Sequence, residues 1–410
     1  MRNLAFVLVF TQIHFLPMKT FFSHNNWCIR TVSFLIMCLL QFSCTERSTK
    51  GYNDDLIVDL AKHTESAILA SEIFSAMKII NLETSDLALF AGIRELELHD
   101  DYIIALDINR GFLGFFNKEG NYKKRLFAQG RGPGEYLAID DFLIDSEEST
   151  IEILDANARR IHIYDLETFG YKKSIPYSIN FVYSFTKAGG YYYFQTNGST
   201  NNINGNYTKS EIIAFNYKNE KYYPVFDKKG ELTNEPHYSY EFSKIFYKNQ
   251  EGVVFASLSW DNKFYKLAGT SANPYITLDL GRRAFPREIL QGTFDEKIAY
   301  VRSPLSEGKL GFFKLIYQDQ DSFLFSCRRS FETEESYFFS FNGDAQFANT
   351  IINDFAPFGQ QELILQKEVQ GYFLSIVYPH LAEEDLLKEL SVTETDNPII
   401  LLFEFKCYIA

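Results

Sequence analysis

With 410 residues the chain can bury a large core. Its 40 Phe and 26 Tyr suit pleated, half-buried surfaces, and only 23% of residues are charged, which argues against long solvated helices or disordered tails. The formal net charge is −13; residues 1–43 hold three bases (Arg2, Lys19, Arg30) and no acid, which leaves −16 on the remainder. No basic stripe with interleaved aromatics offsets that charge, so nucleic acid is excluded as a partner, and an anionic membrane surface is reachable only by insertion or covalent attachment.

Two apolar stretches open the chain. Leu4 to Phe15 ends at Pro17, ahead of Met18-Lys19-Thr20; Thr31 to Phe42 follows Arg30 and runs into Ser43-Cys44. A basic flank, about a dozen apolar residues and a small residue before the break make a secretory signal. The run is shorter than the roughly 20 residues of a membrane span. Residues 1–43 therefore read as a signal peptide, with Met18 an alternative start and 1–17 an over-extended one. Ser43-Cys44 resembles a bacterial lipoprotein signal, which implies acylation of Cys44 and contact with the membrane through a lipid anchor. Gln41 stands where the familiar lipobox has Leu, and an ordinary signal or uncleaved anchor is the alternative. Residues 44–55 are polar and read as a tether. Residues 56–77 carry Leu56, Ile57, Val58, Leu60, Ile68, Leu69, Ile73 and Phe74, giving one short helix or an irregular lead-in up to residue 78.

From about residue 79 the pattern changes to short apolar or alternating runs broken by Gly, Asn, Asp and Pro. Tyr102-Ile-Ile-Ala-Leu, Phe112-Leu-Gly-Phe-Phe, Ile151-Glu-Ile-Leu, Tyr191-Tyr-Tyr-Phe, Phe323-Leu-Phe-Ser and Ile399-Ile-Leu-Leu-Phe-Glu-Phe are examples. Such runs are strands, and their number without intervening helical periods predicts an all-β sandwich, barrel or propeller. A repeat decides among them: a strand ending in Asp, a turn, then apolar-x-apolar-aromatic. Ile103 to Asp107 followed by Phe112 to Phe116 is one copy, and Ile151 to Asp155 followed by Ile161 to Tyr164 is the next, 48 residues on. That is the length of a four-stranded propeller blade. Residues 79–410 leave room for six or seven.

The clearest copy runs from Gly130 to Asp165: Gly-Arg-Gly-Pro-Gly-Glu-Tyr, Ala138 to Asp145, Ile151 to Asp155, then Arg160-Ile-His-Ile-Tyr. It resembles an NHL-type repeat at Gly130, Gly132, Pro133, Gly134, Asp155, Arg160 and Ile161, with Tyr136 in place of the usual Phe. Residues 79–410 as a whole resemble the TolB-like, six-bladed propeller lipoproteins of Bacteroidetes, through Leu82-Glu-Thr, the Gly130 turn and the final Asn397 to Lys406 strand. That resemblance implies six four-stranded antiparallel blades after the signal and tether, with the terminal segments sharing one blade, and a place at the cell envelope, on the outer membrane facing periplasm or surface.

Candidate sites are sparse. The Gly130–Glu135 turn could cradle an anion, but no Lys-Ser/Thr and no helix follow it, and its glycines suit a tight connection. Arg131, Glu135, Tyr136, Asp155 and Arg160 are the candidate ligand-binding or blade-turn residues, Arg160 facing Asp155 or Glu135. Asp100-Asp101 and Asp140-Asp141 read as turn or strand-edge residues. The seven histidines show no paired spacing, His162 alternating with Ile161 and Ile163, so no metal motif is local. No catalytic residue is assigned, and no pattern calls for a cofactor. Cys327 and Cys407 leave a disulfide and two buried thiols open. The expectation is a binding or scaffold module for a peptide, glycan or protein ligand; the alternative is a hydrolase or lyase acting in the axial funnel.

Overall fold

A computed structural model describes residues 56–62, 66–226, 244–258, 260–319, 322–328, 334–340 and 346–406. The signal, Cys44, the tether and Cys407 lie outside these residues. The chain is a β-propeller. Blade 1 consists of Glu95–His99, Tyr102–Asp107, Phe112–Asn117 and Tyr122–Leu126; blade 2 of Asp141–Asp145, Thr150–Asp155, Arg160–Asp165 and Tyr171–Pro176. Blade 3 pairs Ser184–Ala188, Tyr191–Gln195, Ile212–Asn216 and Lys221–Pro224. Blade 4 pairs Phe246–Lys248, Val254–Ser257, Lys263–Ala268 and Ser271–Asp279, and Leu56–Asp59 adds to its outer edge in parallel. Blade 5 contains Gly311–Gln318, Ser322–Arg328, Glu334–Ser340 and Gln346–Ala348. Blade 6 has three strands only, Ala67–Leu69, Thr350–Asn353 and Gln361–Glu362. Blade 7 joins Lys367–Val369, Tyr372–Val377 and Ile399–Phe405 to Phe74–Asn81.

The expected six blades of four antiparallel strands are thus corrected. Counted as sheets of three or more strands, the propeller has seven blades. Residues 56–81, of which 56–78 read from sequence as tether and lead-in, supply strands to three of them: blades 4 and 6 gain a parallel strand and depart from the uniform pattern, whereas Phe74–Asn81 completes blade 7 as four antiparallel strands. Blade 6 is partial: its Ile68 and Ile351 share one apolar cluster with Leu324 and Phe338 of blade 5 and Phe373 and Leu401 of blade 7. Further clusters join blades 7 and 1, 1 and 2, 2 and 3, 3 and 4, and 4 and 5, so the ring is closed.

The strand sequences follow from this packing. Middle strands meet a neighbouring blade on both faces, so Tyr102–Asp107 and Thr150–Asp155 are buried almost throughout and read as continuous apolar runs. The outer Tyr171–Pro176 faces solvent and contains Lys172 and Lys173. In blades 1 and 2 the repeated Asp fastens the blade to the loop that enters it. Asp107 accepts from the N–H groups of Ala91 (2.6 Å), Asn109 and Arg110, and Asp155 accepts from Leu137 (2.6 Å) and Ala158. Blade 7 closes the ring, Ile399–Phe405 pairing antiparallel with Phe74–Asn81 from Asn81–Ile399 to Phe74–Phe405.

Apart from the partial blade 6, each blade is an up-and-down meander with its first strand innermost, which gives the disc two unlike faces. First-to-second and third-to-fourth strand connections emerge on one face as turns of two to five residues, such as Asp100-Asp101, Gly189-Gly190 and Gln370-Gly371. Beside short ones such as residues 108–111 and 156–159, the longest connections all emerge on the other face. They include residues 127–140, 196–211, 280–310 with helices Arg287–Gln291 and Phe294–Val301, and 378–398 with helix Glu384–Leu390. The helices were not foreseen, although Thr293 and Glu296 form a capping box legible as Thr-x-x-Glu.

Phe403 is fully buried and packs tilted against Phe74 across the closure, ring centroids 5.2 Å apart. Phe403→Ala is expected to cost about 3–5 kcal/mol in urea unfolding; a loss below about 1 kcal/mol would show that stability does not depend on this ladder.

Candidate functional site

The residues singled out from sequence lie on the long-loop face. Glu135 turns inward on its own loop, accepting from Gly132 N–H at 2.6 Å, and Gly134 takes a positive φ of 80° against the Tyr171 ring. Tyr136 is fully buried; its hydroxyl accepts from Ala128 N–H and donates to Gly111 carbonyl, both at 2.9 Å. Asp155 meets this loop through Leu137, and His162 Nε2 lies 3.6 Å from its carboxylate. Arg131 and Arg160 are exposed, and among the described ion pairs Arg160 joins neither Asp155 nor Glu135.

A different group of residues converges on the axis. The innermost strands of the blades begin on the long-loop face, and several carry a charged residue at or near that end. Glu95 and Glu97 come from blade 1, Asp141 from blade 2, Lys244 from the residues leading into blade 4, Lys314 from blade 5 and Lys367 from blade 7. Lys367 Nζ lies 2.5 Å from Glu95 Oε1 and 2.6 Å from Glu97 Oε1. Lys244 Nζ faces both Asp141 oxygens at 3.3 and 3.4 Å. Asp141 also accepts from Phe142 N–H (2.8 Å) and Phe185 N–H (3.0 Å), the latter on blade 3. Side-chain exposure is 16–23% for Glu95, Glu97, Lys244 and Lys367 but 5% for Asp141. This is a largely buried salt-bridge network.

Burial and charge act on its members in opposite directions. Burial pushes the Glu95 carboxyl up, but Lys367, Lys244 and Lys314 around it prevail and hold it at about 2. Burial raises the Asp141 carboxyl to about 6: Lys244 pulls it down, Glu95 pushes it up, and desolvation wins. Burial disfavours the charged form of Lys367, yet Glu95 and Glu97 raise its pKa. A second buried group sits between blades 2 and 3. There Lys187 reaches Asp145 (2.6 Å) and Glu152 (2.7 Å), and the Tyr192 hydroxyl donates to Glu152 (2.6 Å). Burial opposes the Lys187 charge, and these carboxylates bring its pKa to about 12.

A family model described as a domain of unknown function, DUF4934, matches residues 56–404. The chain belongs to the DUF4934 family. No curated protein matches its sequence. Among solved structures it is similar to a Bacteroides fragilis protein named as a candidate exported protein, at 15% identity and TM-score 0.64, covering 86% of this chain and all of that one. It is also similar to a Bacteroides vulgatus member of the DUF4221 family, at 10% identity and TM-score 0.51, covering 81% and 97%. A streptogramin B lyase superposes over 82% and 99% at 9% identity with a TM-score of 0.42, a likeness too distant to inform function. These likenesses bear on the fold alone. Among the described residues no helix is long and apolar enough to cross a membrane.

Sequence reading missed the axial residues and placed Asp140-Asp141 at a turn or strand edge. The available signal was charge at alternate positions of a strand with apolar partners: Glu95-Leu-Glu-Leu in blade 1, and Asp141-Phe-Leu-Ile-Asp in blade 2. Only the ring order brings those positions together.

Because the folded state holds the Asp141 proton more tightly than the unfolded chain, this group's stability contribution is lost as pH rises from about 4 to 6. Asp141→Asn removes that dependence. The variant is expected to gain on the wild type by up to about 3 kcal/mol between pH 4 and 6.5 in urea unfolding. A difference independent of pH would contradict the assignment.

Proposed function

We propose that this DUF4934 chain is an exported propeller of the TolB-like, NHL-like type, held at the cell envelope through Cys44, that binds a peptide or protein ligand on its long-loop face. The observation that carries the reading is the asymmetry of the two faces. Six large apolar residues in the described chain are more than half exposed, and five of them (Leu87, Phe127, Phe181, Leu305 and Leu381) sit in long-face loops. The short-turn face is built from residues such as Asp100, Asp101, Glu119, Glu147 and Asn219. Exposed apolar groups spread over one side of a rigid disc suit macromolecular recognition, and loops can vary there without disturbing the blades. The name of the Bacteroides fragilis neighbour agrees with export.

A hydrolase or lyase in the axial funnel is the second reading, favoured by an Asp141 carboxyl that titrates near neutrality beside Lys244. It ranks second because the lysines hold Glu95 ionised, leaving it no proton to give.

Two measurements test the first reading. In envelope cross-linking, Phe127→Ser, Phe181→Ser and Leu305→Ser combined should lower recovery of the partner by about tenfold with an unchanged melting curve, all three being surface sites. Undiminished recovery would remove the long-loop face from consideration. For the anchor, Cys44→Ser should abolish incorporation of labelled palmitate, and a chain still labelled would show that Cys44 is not the acylated residue.

A further inference from the structure

The charges at the axis are sorted by side. Following the ring, the carboxylates come from the adjacent blades 1 and 2, and the lysines from the remainder, blades 4, 5 and 7, the last of which neighbours blade 1. Blade 3, between them, presents Ser184 at the first position of its innermost strand. Three carboxylates face three ammonium groups, so the network has no formal net charge. A simple anion or cation gains on one side what it loses on the other, whereas a ligand carrying both charges gains on both.

We propose that the Lys244–Asp141 pair at the axis binds a small zwitterion of the amino-acid class, its carboxylate on Lys244 and its ammonium on Asp141.

The geometry distinguishes this pair from its neighbour. Lys367 is saturated, in contact with Glu95 and Glu97 at 2.5 and 2.6 Å. Lys244 and Asp141 stand at 3.3–3.4 Å, beyond the 2.7–2.9 Å of a close ammonium–carboxylate contact. Inserting a zwitterion exchanges one loose contact for two close ones while each buried charge keeps an opposite partner. Both side chains are already largely withdrawn from water in the folded protein, so little of their hydration is left to lose on binding. Phe142 and Phe185 N–H groups hold the Asp141 carboxylate in place as Lys244 swings aside.

The groups facing Asp141 are Lys244 from blade 4, Glu95 from blade 1, and those two backbone N–H groups from blades 2 and 3. Protonation of Asp141 removes the anchor for the ligand's ammonium and leaves the lysines in excess. Zwitterion binding therefore weakens at acid pH, and binding of a plain carboxylate strengthens. The proposal does not rest on the apolar rim: it concerns small molecules, and the rim substitutions leave it untouched.

Isothermal titration of the full chain with L-alanine and β-alanine, against acetate and ethylammonium as half-ligands, tests it at pH 7.5 and pH 5. Saturable binding of an amino acid at pH 7.5, at least about tenfold tighter than either half-ligand and weaker at pH 5, is the expected result. Lys244→Met should reduce it by about tenfold or more, and Lys244→Arg should retain it. Acetate binding as tightly as the amino acids, neither amino acid binding at all, or full affinity in Lys244→Met would each overturn the proposal. The half-ligand comparison uses wild-type protein and stands even where Lys244→Met does not fold.

Discussion

The ladder between Ile399–Phe405 and Phe74–Asn81 is the constraint from which the rest of the structure follows. It joins segments more than 300 residues apart, and closing such a loop costs about 5 kcal/mol of chain entropy plus a constant. Burial of Phe74, Ile80, Leu401 and Phe403, at about 1.5–3 kcal/mol each, offsets that cost. Without the N-terminal strand, Ile399–Phe405 would present a long apolar edge, which is an aggregation hazard. The same stretch of chain, through Leu56–Asp59 and Ala67–Leu69, also covers edges of blades 4 and 6.

Ring closure is also what makes charge tolerable at the axis. An innermost strand has apolar neighbours on its flanks but none on the axial side, so a polar residue there is confined rather than solvated. Unpaired, each such charge would cost several kcal/mol. Paired between blades, Lys367 joins blade 7 to its neighbour blade 1 and Lys244 reaches blade 2 from blade 4. The pairs thus also fix which strands face one another, a role better attested for buried ion pairs than net stabilisation.

Much of this was legible in the sequence, and the boundary of what was not has a physical cause. The strands at Tyr102, Phe112, Ile151, Tyr191, Phe323 and Ile399 and the Asp107 and Asp155 repeat follow from local alternation and turn chemistry, which a sequence displays directly, whereas the shared terminal blade came from the family resemblance alone. The blade count did not follow, because residues 56–69 pair in parallel with strands more than 200 positions away and their short apolar runs match a helix turn equally well. The axial network escaped for a related reason. Glu95, Asp141, Lys244, Lys314 and Lys367 have no mutual spacing, and only the ring gives them a common centre. Arg160 illustrates the converse: proximity in sequence to Asp155 suggested a pair, yet the Asp155 carboxylate is taken by backbone N–H groups.

That last contrast separates two kinds of buried carboxylate in this protein. Asp107 and Asp155 are satisfied by amides that cannot leave without unfolding a turn, so their oxygens are committed to the fold. Asp141 is held in part by amides and in part by Lys244, whose ammonium sits on a flexible stem and moves by rotamer change alone. A ligand can displace such a side chain at little cost, while the amides keep the carboxylate aimed. A buried charge answered by a mobile partner thus differs in kind from one committed to the fold, and in the described structure the Lys244–Asp141 pair at the axis is of the first kind.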